Sequence, residues 1–192
     1  NWIVKSEILK YLSKYGIITE EIEKAISEST FIRNFKKGDI LLKEGGVSKE
    51  CYFILKGCIR SYFLKDGEEK TMEFYTEQHS VVPVNYDTLE PSEYYLECLE
   101  DTIVSVGNPK LEKEIFQKYP ELESLSRKIA ETEIIKQQIS FTEFKTSSPE
   151  ERYLNMLKLR PDLHQRVPQY QIASYLGIKP ESLSRIRKRI VS

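Results

Sequence analysis

The stretch Gln169-Tyr170-Gln171-Ile172-Ala173-Ser174-Tyr175-Leu176-Gly177-Ile178-Lys179-Pro180-Glu181-Ser182-Leu183-Ser184-Arg185-Ile186-Arg187-Lys188-Arg189-Ile190 decides how this chain is read. Ile172, Ala173 and Leu176 fall on one face of a short helix. Gly177 follows where a tight turn is needed and a side chain would obstruct it. Pro180 suits the first position of a second helix, whose N–H would be unpaired in any case. Leu183, Ile186 and Ile190 then recur at spacings of three and four, one apolar stripe. Ala173 is small where two helices must cross closely. The opposite face of the second helix carries Glu181, Ser182, Arg185, Lys188 and Arg189. An ordinary helical hairpin with a solvated basic face would show the basic residues alone. Here the alanine, the glycine and both stripes coincide, which predicts a helix-turn-helix with double-stranded DNA as its partner.

Charge supports the same end of the chain. Net charge over the 192 residues is −1. Residues 145–192 hold ten Lys/Arg against four Asp/Glu, net +6, and residues 1–144 hold 19 against 26, net −7. A basic end on an acidic body focuses attraction for phosphate on that end. Cys51, Cys58 and Cys98 form no CxxC and cannot all pair, so they read as small buried hydrophobes in a reducing cytoplasm. No signal peptide or membrane-length apolar run is present, so the expectation is a soluble, cytoplasmic protein without a membrane partner.

Working back from the C-terminal stretch, Ser148 with Pro149 and Glu151 forms a capping-box signature that opens a helix, ended by Arg160-Pro161. His164–Val167 reads as a short strand. Lys145-Thr-Ser-Ser148 reads as a hinge. Residues 120–144 form a helix of about 37 Å, with Leu122, Leu125, Ile129, Thr132 and Ile139 near every 3.5 residues. That stripe predicts pairing with a second copy of the chain, against the alternative that it packs on its own subunit. Before Gly107 the period changes to short Val/Ile/Tyr/Phe runs separated by turn residues: 40–42, 51–55, 58–64, 70–75, 94–99 and 102–106. Asp66-Gly67 marks a hairpin. Many short, evenly spaced strands predict an antiparallel roll. Residues 3–14, 19–29 and 111–119 read as flanking helices, with Thr19 as an N-cap.

The order of roll, long helix, hinge and helix-turn-helix resembles the Crp/Fnr family of bacterial transcription regulators over almost the whole chain. Lys37-Gly38-Asp39-Ile40-Leu41, Tyr52-Phe53-Ile54-Leu55-Lys56-Gly57 and Leu176-Gly177-Ile178-Lys179-Pro180-Glu181-Ser182-Leu183-Ser184-Arg185 carry the resemblance. It implies an α+β fold: an N-terminal antiparallel β-roll (double-stranded jelly roll) with flanking helices over 1–119, a dimerisation helix over 120–144 and a helix-turn-helix domain over 145–192. It implies a homodimeric, non-enzymatic transcription regulator on a near-palindromic site, with RNA polymerase a further candidate partner. Glu181, Ser182 and Arg185 are the expected base readers. Gln169, Lys179, Ser184, Lys188 and Arg189 are the expected phosphate contacts. The residue before the glutamate is often an arginine in the family, and here it is Pro180.

The sequence also departs from the family. Cyclic-nucleotide members cradle phosphate with a Gly-Glu and Arg cassette, and the matching region, about 81–97, holds no glycine, arginine or lysine. Residues 71–109 contain eight Asp/Glu and no Lys/Arg. An anionic phosphate desolvated there without a counter-charge would cost several kcal/mol. The expected effector is therefore none or an unidentified non-nucleotide molecule, with a nucleotide-responsive regulator of atypical cassette as the alternative. No N-terminal cysteine cluster for iron–sulfur ligation exists. The two histidines, His79 and His164, lie in different predicted domains, so no metal or cofactor is expected and a cupin-like metalloenzyme lacks its ligands. The family's β-hairpin wing would follow the second helix, and the sequence ends two residues past Ile190.

Overall fold

The computed structural model describes residues 2–191, and side chains from 5 to 190. Two helices open it, α1 (Trp2–Leu12) and α2 (Glu20–Ser29). Thr19 caps α2 by accepting the Ile22 N–H. Eight strands follow: β1 (Phe31–Phe35), β2 (Ile40–Leu42), β3 (Cys51–Lys56), β4 (Ile59–Lys65), β5 (Glu68–Tyr75), β6 (Ser80–Val81), β7 (Tyr95–Cys98) and β8 (Thr102–Gly107). They form two four-stranded sheets, ordered β1-β8-β3-β6 and β2-β7-β4-β5. The β1–β8, β3–β8, β3–β6 and β2–β7 pairs are antiparallel. β8 alternates buried and half-buried along its length, the period-two signature of a strand with one face on the core. Asp66 and Gly67, both at positive φ (54° and 78°), make the two-residue β4–β5 turn, the twist-matched hairpin connection.

Five described helices follow the second long stretch of sheet: α3 (Pro109–Lys118), α4 (Pro120–Thr146), α5 (Pro149–Leu159), α7 (Gln169–Leu176) and α8 (Pro180–Val191), with a single helical turn, α6 (Leu163–Arg166), between α5 and α7. The strand expected at 164–167 is therefore helical up to Arg166. The local reason is visible: the Val167 N–H donates to Leu163 O at 3.0 Å, and the Leu163 side chain is fully buried. The expected four-residue hinge is also shorter. α4 continues to Thr146, leaving only Ser147 and the cap Ser148 before α5.

The chain forms two compact units, one from residues up to 61 and 74–134, the other from 62–73 and 135 onward. In the first, α1, α2, α3 and the start of α4 share a core of Ile8, Tyr11, Leu12, Ile22, Ala25, Ile26, Ile115, Tyr119, Leu122 and Leu125. This corrects the assignment of Leu122 and Leu125 to an intersubunit face. They are 5% and 7% exposed, and Ile129 packs partly against the same cluster. Leu125 sits so close that a Cβ on Gly16 would lie 3.0 Å from its Cδ1. The helical stripe is real, but its first third is covered by the apolar faces of α1 to α3. Beyond it, Ile134, Ile135, Ile139 and Phe141 are all more than half exposed.

Candidate nucleic-acid interface

The helix-turn-helix lies within the second unit. Gly177 ends α7 in the left-handed conformation, at φ 64° and ψ 35°. Its N–H donates to Ser174 O, and the Ile178 N–H donates to Ala173 O at 2.9 Å. This pair of bonds is a Schellman closure and satisfies carbonyls that the helix end would leave open. Ile172, Ala173, Leu176, Ile178, Leu183 and Ile186 are buried, and Ala173, fully buried, permits the close approach of the two helices. Against this stripe, the outer arc of α8 presents Glu181, Ser184, Arg185, Lys188 and Arg189, all exposed, with Ser182 half-buried at its edge. Ser182, Arg185, Ile186 and Arg189 line a shallow groove.

The expected phosphate contacts divide. Lys179, Ser184 and Lys188 are exposed. Arg189 is exposed but engaged: its Nη2 lies 2.5 Å from Glu150 Oε2 on α5, so DNA would have to displace a carboxylate. Gln169, on the first turn of α7, is only half-buried, and its Oε1 is enclosed in protein rather than presented outward. Thr132 is half-buried and Ile139 is 56% exposed on α4.

Around the motif, the capping box expected from Ser148 and Glu151 is joined by contacts that the sequence did not signal. The capping box of α5 is complete: Glu151 N–H donates to Ser148 Oγ and the Ser148 N–H donates to Glu151 Oε2 at 2.7 Å. Hydrogen bonding to the carboxylate from the Ser148 N–H, and then from its hydroxyl, holds the Glu151 carboxyl below the usual glutamate range. Arg152, one residue on, stacks its guanidinium over Phe144 at 4.1 Å from the ring centroid. Its Nε donates to Phe144 O at 3.1 Å and its Nη1 to Leu176 O at 3.2 Å. The β4–β5 hairpin also reaches α7: the Thr71 N–H donates to Ser174 Oγ at 2.9 Å, and that hydroxyl donates to Glu69 O at 3.2 Å. Arg160 lies 3.8 Å from Glu73 and 3.5 Å from Asp162. Apart from the capping box and the Arg160–Asp162 pair, these contacts join residues eight or more positions apart, so no spacing signalled them.

In the first unit, the roll holds one buried cation. Arg60, on β4, is 2% exposed, and its Nη2 donates to Glu97 Oε2 on β7 at 2.7 Å. Glu97 closes the 81–97 segment, where the family resemblance would place a phosphate cassette. A guanidinium therefore reaches that region from another strand, already neutralised by a carboxylate. Cys51, Cys58 and Cys98 form no disulfide. Burial pushes the Cys51 thiol up to about 11, with the Glu112 carboxylate 3.7 Å away adding to the rise. Among the described residues, no group of three or more His, Cys, Asp or Glu is placed to hold a metal ion, and no helix is long and apolar enough to cross a membrane.

Residues 32–119 match the cyclic nucleotide-binding domain family. No curated protein matches the chain. Among solved structures, FixK2 from Bradyrhizobium japonicum is 18% identical with a TM-score of 0.64, over 84% of each chain. CLP of Xanthomonas campestris, described as a c-di-GMP-responsive global regulator, is 13% identical with a TM-score of 0.66, over 87% of this chain and 89% of its own. CooA from Carboxydothermus hydrogenoformans is 15% identical with a TM-score of 0.63, over 85% and 77%. At such identities the likeness is one of fold alone. Residues 32–119 are thus similar to the cyclic nucleotide-binding domain family, and the chain shares with these solved structures a fold of antiparallel β-roll and C-terminal helices.

Proposed function

We propose that this protein is a homodimeric, sequence-specific DNA-binding transcription regulator whose roll does not respond to cyclic nucleotides. The observation that carries the reading is α7–turn–α8 itself. A left-handed Gly177 sets the turn, the apolar stripe of α8 is buried, and its outer arc offers Glu181, Arg185 and Lys188 to a groove. Arg185 has the fork to engage the O6 and N7 acceptors of a guanine, and Glu181 can accept from a cytosine amino group. Ser182 lies beside them. Lys179, Ser184, Lys188 and, once released from Glu150, Arg189 have the chemistry for phosphate. On α4, Thr132 and Ile139, seven residues apart, continue the stripe, with Ile134 and Ile135 alongside, which supports pairing with a second copy of the same helix. A two-fold dimer calls for a near-palindromic site with half-sites roughly 34 Å apart.

Selection of bound duplexes from random DNA with the purified chain tests this reading. A recovered palindrome is the expected result. Arg185→Ala then costs about 1–3 kcal/mol on that site and relaxes one base position. Equal weakening on selected and random DNA would reassign Arg185 to a phosphate. The family match of the roll favours one second reading, a nucleotide-responsive regulator. Calorimetric titration with cyclic nucleotides separates the two, because micromolar binding heat would overturn the first.

A further inference from the structure

Arg152 joins three elements that each bear on where α8 points. It leaves the first turn of α5, stacks on Phe144 in the last turn of α4, and donates one hydrogen bond to Phe144 O and another to Leu176 O. Both acceptors lie at helix C-termini. Leu176 is the last residue of α7, and the Ser148 N–H that could have closed on Phe144 O is committed to Glu151 instead. One cation therefore satisfies orphan carbonyls of two helices and sits at the negative end of both dipoles. The turn lies against the same ring, since a Cβ on Gly177 would stand 3.3 Å from Phe144 Cζ and 3.5 Å from Arg152 Nη1. All of these residues belong to one compact unit.

We propose that Arg152 is a positioning residue for DNA recognition: by clamping the α7–α8 turn to the last turn of α4 it fixes the direction in which α8 leaves that turn. The inference rests on the DNA-binding reading. Its physical basis is leverage. α8 has 12 residues, about 18 Å at 1.5 Å per residue. A swing of about 10° at the turn displaces its far end by about 3 Å, close to one base-pair step. A dimer that must meet two half-sites at one spacing cannot tolerate that freedom, whereas a single half-site can. The clamp needs a planar, forked donor with a stackable face, which arginine has and lysine lacks.

The test uses the 192-residue chain, the selected palindrome, versions with the half-site spacing changed by one base pair, and a single half-site, with Kd measured over a salt series. Arg152→Lys and Phe144→Leu should each lose at least about tenfold on the palindrome and flatten the preference for spacing, with single-half-site affinity and salt slope unchanged. Unchanged palindrome binding overturns the proposal. So does equal weakening on every DNA with a salt slope about one unit lower, the signature of a phosphate contact. Hydrogen exchange on the DNA-free protein gives a second readout. The Gly177 and Ile178 amides should exchange at least about tenfold faster in Arg152→Lys, and unchanged exchange overturns the clamp itself. If the wild-type chain selected no DNA at all, the DNA-binding reading would fall and this role with it, while the exchange result would still decide whether the clamp exists.

Discussion

Leu125 and Ile139 stand on one helix at related positions of one sequence pattern, yet they should fail in opposite ways. Leu125 is 7% exposed in a core shared with α1, α2 and α3. Truncating it to alanine removes buried methyl groups and leaves a cavity, a loss of about 2–5 kcal/mol of subunit stability. Ile139 is 56% exposed, so Ile139→Ala costs the isolated subunit little. If two copies of α4 cover it, the exposed half of an isoleucine worth about 1.5–3 kcal/mol on full burial is lost from each subunit. That is about 1.5–3 kcal/mol for the symmetric pair, or a roughly 10- to 150-fold rise in dimer Kd. Sedimentation equilibrium over a dilution series reads the second effect. Urea unfolding, at concentrations well below the dimer Kd, reads the first. A Leu125→Ala protein of unchanged stability that sediments as a monomer would refute the assignment of Leu125 to the subunit core. An Ile139→Ala protein with an unchanged dimer Kd would refute the pairing of α4 through this stripe.

Three further outcomes are expected. Lys179→Ala and Lys188→Ala should each weaken binding to all DNA sequences alike and lower the salt slope by about one unit, whereas Glu150→Gln, which releases Arg189 from its ion pair, should strengthen binding to all sequences in the same anisotropy titration. Gly57→Ala should cost about 2–5 kcal/mol in urea unfolding: φ is +108° and the new Cβ would stand 2.8 Å from Thr102 Cα and 2.9 Å from Asp101 O, so strain and overlap with backbone add, and a cost under about 1 kcal/mol would show that the β3–β4 connection adapts. With its thiol raised from the ordinary value of 9.0 to about 11 by burial, Cys51 should be alkylated at pH 8 on the order of a hundredfold more slowly than in the unfolded chain; the unfolded chain also releases that proton first, so Cys51's contribution to stability, intact below about pH 9, should be lost as pH rises through 11, and replacing Cys51 with alanine should remove that part of the alkaline loss.

The features that the sequence determined by itself are those made within one turn of chain. Thr19 capping α2, the Ser148–Glu151 box, the Asp66-Gly67 turn and the left-handed Gly177 each rest on bonds or backbone angles among residues no more than five apart, so residue type and spacing specify them. The stripes of α4 and α8 were legible for the same reason, as a face that must be buried. What buries that face is a different question, because an amphipathic period carries no label for its partner. Only the tertiary structure divided α4, giving Leu122 and Leu125 to the subunit core and leaving Ile135 and Ile139 exposed. The contacts that frame the reading helix were equally hidden. Arg152 reaches Leu176 across 24 positions, Ser174 meets Thr71 across 103, and Arg60 finds Glu97 across 37. Each is a polar group satisfied by whatever acceptor the fold brings near it, and that proximity exists only once the chain has closed on itself.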